Sequence, residues 1–299
     1  MLVSTGFQKA IGYIFLMSKI NLEWLLEWTF KERNEPLAAH KIHRYPAVFI
    51  PELAGKIIEA FSSEGDTVLD IFSGSGTTLL EAMRLKRHSK GIELNPLAIL
   101  ITKVKTQYID EEILKAGIEQ WEANFLNQDF GEHHINNKEF WFHEVTNKSV
   151  NDAIGAIDAI EDKKIKDFLR ICLSEIIREV SYCVHNGFKL HKDKKKVSDE
   201  LFFDKHELLK KITPIIQRNT RAIKELKDLD NGDFTPKVYF QDSRVKLESI
   251  KENSVDLILT SPPYGDSRTT VAYGQFSAFS SELLQLNSLY DKAIRRLDN

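Results

Sequence analysis

Ser261, Pro262, Pro263 and Tyr264 stand together near the C-terminal end of the chain, directly after Val255-Asp-Leu-Ile-Leu-Thr260. A hydroxyl, a backbone carbonyl and an aromatic ring in this order suit one chemistry, transfer to an exocyclic amine on a planar base. Such an amine is a poor nucleophile because its lone pair is delocalised into the ring. The Ser261 oxygen and the carbonyl at Pro262 can accept its two N–H hydrogens and draw the lone pair out of the plane, toward a methyl donor. Tyr264 supplies a face on which the base stacks, as extrahelical bases do against aromatic side chains. The preceding apolar run reads as a buried strand. The prolines end it, since they bring no donor to a ladder. All four residues therefore fall at the strand's C-terminal rim, where open α/β sheets bind ligands. Taken alone, the same residues would equally serve as a turn closing a core strand.

A second constellation lies in Thr67–Ala82. Val68, Leu69 and Ile71 predict a buried strand, Gly74 and Gly76 a tight turn, and a helix starts near Thr77. Glycines let a ligand approach the backbone, and the helix N-terminus favours a negative group. The third glycine of a dinucleotide fingerprint would fall at position 79, which is Leu79, and this argues against a nicotinamide site. The next strand, His88–Leu94, carries Glu93 about 20 residues after the glycine turn, the place from which a carboxylate accepts ribose hydroxyls. Asn95 then caps a helix. Upstream, His40-Lys-Ile-His-Arg-Tyr45-Pro-Ala-Val-Phe-Ile-Pro51 leads into a helix with Pro51 in its first turn.

Thr260-Ser-Pro-Pro-Tyr-Gly265 resembles the catalytic motif of S-adenosylmethionine-dependent amino-methyltransferases, most closely the DNA cytosine-N4 and adenine-N6 enzymes of restriction-modification systems. Asp70-Ile-Phe72-Ser-Gly74-Ser-Gly76 resembles their cofactor loop, and the Tyr45-Pro46-Ala segment resembles the stretch that packs on the methionine end of the cofactor. The resemblance implies an α/β class I methyltransferase fold, a Rossmann-like parallel sheet. It implies S-adenosyl-L-methionine held by Tyr45, Pro46, Asp70, Phe72, Gly74, Gly76, Thr77, Thr78, Glu93 and Asp242, and no metal. Ser261, Pro262, Pro263 and Tyr264 would be catalytic, with double-stranded DNA as substrate. Serine at position 261 is typical of the cytosine-N4 branch. RNA guanine-N2 methyltransferases share the Pro-Pro-Tyr-Gly rim but usually carry Asp in place of Ser261. A silent subunit or remnant that binds without turnover is a third reading, from a different class.

These motifs imply four segments: a helical extension over 1–39, a cofactor-binding half over 40–106, a helical insertion over 107–235, and a catalytic half over 236–299. Within the extension, residues 21–32 read as an amphipathic helix, and residues 1–17 as an added stretch before a more natural start at Met17, with no cleavage site of a signal peptide. In the insertion, Ile165, Phe168, Leu169, Cys172, Leu173, Ile176, Ile177 and Val180 follow helical spacing, as do Leu208, Leu209, Ile212, Ile215, Ile216 and Ile223, with a kink expected at Pro214. Lys189, Lys192, Lys194, Lys195 and Lys196 form a basic run, either a phosphate-contacting patch or a solvated loop. Lys237–Ser243 reads as a strand ending in Asp242. Residues 265–276 read as a polar loop able to close over a base, with Arg268 and Tyr273 as DNA contacts, and a final helix runs from about Ser280 to Leu297.

At 299 residues and net charge −3, no global basic signal is present, so nucleic-acid contact would rest on a local face. The two cysteines, Cys172 and Cys183, are too few for a zinc site and read as buried thiols of a cytoplasmic protein. The apolar run Ile11–Met17 falls short of the about 20 residues that span a bilayer. Only four strands can be placed, whereas the resembled fold has more. The expectation is an incomplete sheet, truncated in this chain, whose missing strands a second polypeptide supplies over the exposed edge.

Overall fold

The computed structural model describes residues 36–46, 48–131, 138–184, 187, 189–230, 232–262, 273–284 and 286. They belong to one compact unit that begins at Pro36. The amphipathic stretch 21–32, Pro263, Tyr264 and Arg268 lie outside the described residues.

A 3-10 turn, Ala38–Lys41, is followed by α1 (Pro51–Phe61), with Pro51 in its first turn as expected. Then come β1 (Thr67–Asp70), α2 (Thr77–Arg84), β2 (His88–Glu93) and α3 (Pro96–Lys105). The insertion contributes α4 (Glu111–Asn127), α5 (Lys138–Trp141), α6 (Glu144–Asp158), α7 (Lys163–Val180), α8 (Lys194–Ser198) and α9 (Lys205–Lys224). The sheet resumes with β3 (Lys237–Phe240) and β4 (Leu257–Ile258), and α10 spans Tyr273–Leu283.

All four strands are parallel, in the order β3-β2-β1-β4. The register sets Asp70 beside Gly91 and Glu93 beside Phe240. From β1 the chain winds outward through β2 to β3, then returns across the sheet to lay β4 on the other side of β1. That reversal opens a crevice between the C-terminal ends of β1 and β4, the usual ligand position in such sheets. The expected α/β architecture is therefore present, with every strand where the sequence places one.

Two apolar clusters hold the sheet. Ala54, Ile58, Val68, Ala82 and Leu259 pack α1 and α2 against β1 and β4. The larger cluster runs from Leu97, Leu100, Ile101 and Val104 of α3 into the insertion, through Trp121 and Phe125 of α4 to the buried stripe of α7. Each long helix of the insertion except α6 starts at an aspartate whose carboxylate accepts the first free N–H groups: Asp110 for α4, Asp162 for α7 and Asp204 for α9. Cys172 and Cys183 are buried free thiols, and burial pushes the Cys172 thiol up to about 12.

Helix α9 runs through Pro214. Two expectations need correction. The last described helix begins at Tyr273, well before Ser280, because Gly274, Ser277, Ser280 and Ser281 give it a small-residue face that packs closely and is buried. The basic run is partly structural. The Lys196 ammonium donates to the carbonyls of Glu179, Ser181 and Cys183 at 2.7, 2.9 and 2.9 Å, closing the C-terminus of α7. Lys192 lies 4.0 Å from the centre of the Phe140 ring.

The glycine turn is conformationally required. Gly74 and Gly76 have φ of +50° and +76°, and a Cβ on Gly76 would stand 2.6 Å from the Thr102 side chain. Gly76→Ala is expected to destabilise the fold by about 2–4 kcal/mol, left-handed strain adding to overpacking. Thermal unfolding reads this directly, and an unchanged midpoint would remove the argument.

Candidate active site

The crevice holds a cavity of about 290 Å³, close to the size of small-molecule clefts. Tyr45, Asp70, Phe72, Gly74, Thr77, Thr78, Glu93, Asp242 and Ser261 line it together. Gly76 sits just behind as the N-cap of α2. Pro46 lines a neighbouring cavity instead, and Pro262 is exposed at the rim.

Asp70 ends β1 and is 3% exposed. Its Oδ1 accepts the Phe72 N–H at 3.1 Å and the Thr260 hydroxyl at 2.7 Å. The second bond spans the crevice from the residue just before Ser261, so it fixes the β4 rim against the β1 rim. Burial raises the Asp70 carboxyl above its ordinary range. Phe72, 37% exposed, presents an apolar face at the cavity wall.

Glu93 is already well used. Oε1 accepts the N–H groups of Leu94 and Asn95, both at 2.8 Å, and Oε2 accepts that of Gly74 at 2.8 Å. A carboxylate has about four acceptor positions, so about one remains for a hydroxyl in the cavity. Its first task is to hold the glycine turn open. Burial raises its carboxyl, opposed by the three backbone bonds.

Asp242 is closed by a partner the sequence reading did not weigh. The Arg244 guanidinium meets it at 2.8 Å (Nη2–Oδ2) and 3.0 Å (Nε–Oδ1), and the Arg244 N–H donates at 2.9 Å.

Sequence reasoning also missed a buried node at Asn95. Its Oδ1 accepts the Leu97 N–H at 3.1 Å, the cap expected of it, and this fixes the amide orientation. Both amide hydrogens are then spent, on the Tyr45 hydroxyl at 3.0 Å and the Ser277 hydroxyl at 2.7 Å. Tyr45 also faces Tyr273, ring centres 6.1 Å apart, and burial raises its phenol pKa well above the usual value. Tyr273, expected on a loop, therefore stands in the cavity wall on α10.

Negative groups bind well where backbone N–H groups converge at a helix start, and ribose hydroxyls where a carboxylate waits. Residues 17–104 match the family model described as DNA methylase. That stretch holds the glycine turn, Glu93 and Asn95. Over most of its length the chain is similar to Type II methyltransferases. It is 32% identical to M.MvaI of Kocuria varians over 288 residues, 90% of this chain and 63% of that protein. To M.BsoBI of Geobacillus stearothermophilus it is 27% identical over 89% of this chain and 56% of the relative. M.MjaII of Methanocaldococcus jannaschii matches 95 residues at 37% identity, 18% of its length. The chain thus spans somewhat over half the length of these two longest-matching methylases. No solved structure matches it. Among the described residues, no helix is long and apolar enough to cross a membrane.

The cavity fits S-adenosylmethionine in its donor and acceptor set: N–H groups at α2, one open acceptor at Glu93 and an aromatic wall at Phe72. Asp242 is the residue that would have to exchange partners. Asp242→Ala is expected to weaken binding of the cofactor about tenfold or more, through loss of a charged acceptor, while Arg244→Ala should leave it intact or tighter. Calorimetric titration of both variants decides; a large loss in Arg244→Ala would mean the arginine is the true ligand.

Proposed function

We propose that this chain is the cofactor- and amine-handling portion of a DNA amino-methyltransferase, with cytosine N4 as the acceptor. The supporting observation is the shared crevice: Ser261 at the end of β4 opens into the same cavity as the glycine turn and Glu93 at the ends of β1 and β2. S-adenosylmethionine, when bound, supplies an electrophilic methyl group. Glu93 and Asp242 orient it through its hydroxyl and amino groups, and the N–H groups at α2 receive its carboxylate. The Ser261 oxygen and the carbonyl of Pro262 accept the two hydrogens of the target amine and turn its lone pair toward the methyl group. Tyr264 stacks the base. Rate enhancement on this reading comes from orientation, with proton removal by the Ser261 side and solvent. Serine at position 261 supports cytosine N4 over adenine N6.

The segments 40–106 and 236–299 would form the two halves of the transfer domain, with 107–235 inserted between them and 1–39 preceding. Strand β4 pairs only with β1 among the described strands, and Ile258 is 62% exposed. That supports further strands covering this edge, from the same polypeptide or from a second one.

Incorporation of labelled methyl groups into unmodified genomic DNA tests the reading, with the chain alone and with the product of the neighbouring reading frame. N4-methylcytosine in the digested nucleosides is the expected outcome. N6-methyladenine would correct the base. No label in DNA, with cofactor bound, would end the proposal.

A further inference from the structure

Lys148, Lys163, Lys210, Lys211 and Lys224 of the insertion each meet an Asp or Glu oxygen at 2.6 to 2.9 Å. Residues 187–196 are built differently. They hold five lysines and His191 against a single acid, Asp193. The Asp193 carboxylate is spent on the N–H groups of Lys195 and Lys196 at the start of α8, 2.9 and 3.4 Å away. Lys196 closes the end of α7, and Lys192 rests on the Phe140 ring. Among the described residues, the exposed ammonium groups of Lys189, Lys194 and Lys195 have no hydrogen bond or ion pair. The backbone that carries them is fixed. The Arg178 guanidinium donates to the Lys189 carbonyl at 2.9 Å, and the Val184 and Asp193 N–H groups donate to the His191 and Tyr182 carbonyls at 2.9 and 2.7 Å. The Leu190 N–H donates to Gln275 Oε1 at 3.2 Å, on α10 and two residues past Tyr273 in the wall of the first cavity. A second cavity, behind Tyr45, makes the same connection, since Gly187 and Phe276 line it together.

Three uncommitted charges on a fixed backbone, beside the helix that walls the crevice, suit a polyanion. Each phosphate that meets such an ammonium releases a condensed counterion. A chain of net charge −3 needs a local face of this kind to attract nucleic acid. We infer that Lys189, Lys194 and Lys195 form a phosphate-contacting ledge for duplex DNA, alongside the crevice that Ser261 lines. The inference rests on the DNA-methylation reading and adds to it where the duplex lies. Contacts to phosphate position a duplex without reading its bases, so the ledge acts alike on every sequence.

The test is fluorescence anisotropy of a labelled random-sequence duplex over a range of salt concentrations, with the full chain saturated by S-adenosylhomocysteine. The triple variant Lys189→Gln/Lys194→Gln/Lys195→Gln is expected to bind about tenfold or more weakly at low salt. Its plot of log affinity against log salt should be shallower by about 3, close to 0.9 for each lysine removed. Lys163→Gln/Lys210→Gln/Lys224→Gln removes the same charge from paired positions of the insertion and should keep the wild-type slope. Calorimetric binding of S-adenosylhomocysteine, unchanged in both, would show that the fold is intact. Equal losses in the two triple variants would reduce the effect to net charge and overturn the ledge. So would a wild-type chain that binds no duplex, or one whose ledge lysines matter only for RNA. A ledge-dependent duplex affinity without methyl transfer to DNA would keep the ledge and sink only the proposed reaction. Methyl transfer to DNA with an unchanged KM for DNA in the ledge variant would do the reverse.

Discussion

Glu93→Ala is expected to abolish detectable cofactor binding and to lower stability by about 2–4 kcal/mol, because it leaves the N–H groups of Gly74, Leu94 and Asn95 without their acceptor. Stability and binding fall together here because one carboxylate serves both the glycine turn and the cavity. Glu93→Gln should separate them, retaining one oxygen for the backbone while losing the charge that holds a hydroxyl. The pH dependence carries the same signature. Burial raises the Glu93 carboxyl, so the native state binds this proton more tightly than the unfolded chain. The resulting stabilisation is present at low pH and is lost as pH rises through the raised pKa. Acidification therefore protonates Glu93 at a higher pH than an ordinary glutamate, without unfolding through this group. Cofactor affinity should fall with pH while the fold persists, and Glu93→Gln should flatten that fall. An affinity in wild type that holds steady down to ordinary carboxylate pH would contradict the assignment.

Ser261→Ala should reduce turnover by about 10²–10³, the usual loss when one oriented polar group at the reacting centre is removed, and leave cofactor affinity unchanged. The serine is half-buried at the rim and, among the described residues, shares no hydrogen bond with the glycine turn, so its loss should cost little stability. Ser261→Asp keeps an acceptor and should recover part of the rate. Single-turnover methyl transfer to DNA separates the two variants; turnover in Ser261→Ala within about threefold of wild type would deny it a transition-state role.

Local patterns made much of this legible. The strand-turn-helix at Thr67–Arg84 and the strand ending in Glu93 read directly, because period, glycines and a rim carboxylate lie within a few residues of one another. The buried stripe of α7 read equally well. What escaped was held by partners far apart in the chain. Asn95 could be read as a cap, since Leu97 is two residues away, but its bonds to Tyr45 and Ser277 cross 50 and 182 positions. Tyr273 was assigned to a loop because Gly274, beside it, suggests punctuation; in the packed chain that glycine is buried on a helix. Lys196 looked like one more solvated cation until the free carbonyls ending α7 claimed it.

Helix α3 has consequences for any attempt to exchange the insertion for that of another chain. One end begins at Asn95 in the wall of the first cavity, and its flank forms a single core with the insertion through Leu97, Leu100, Ile101 and Val104. Cutting at residue 107 and grafting another chain's insertion would leave those side chains against a foreign surface. A workable chimera must carry α3 across with its helices, and part of the first cavity's own wall would then travel with the transplant.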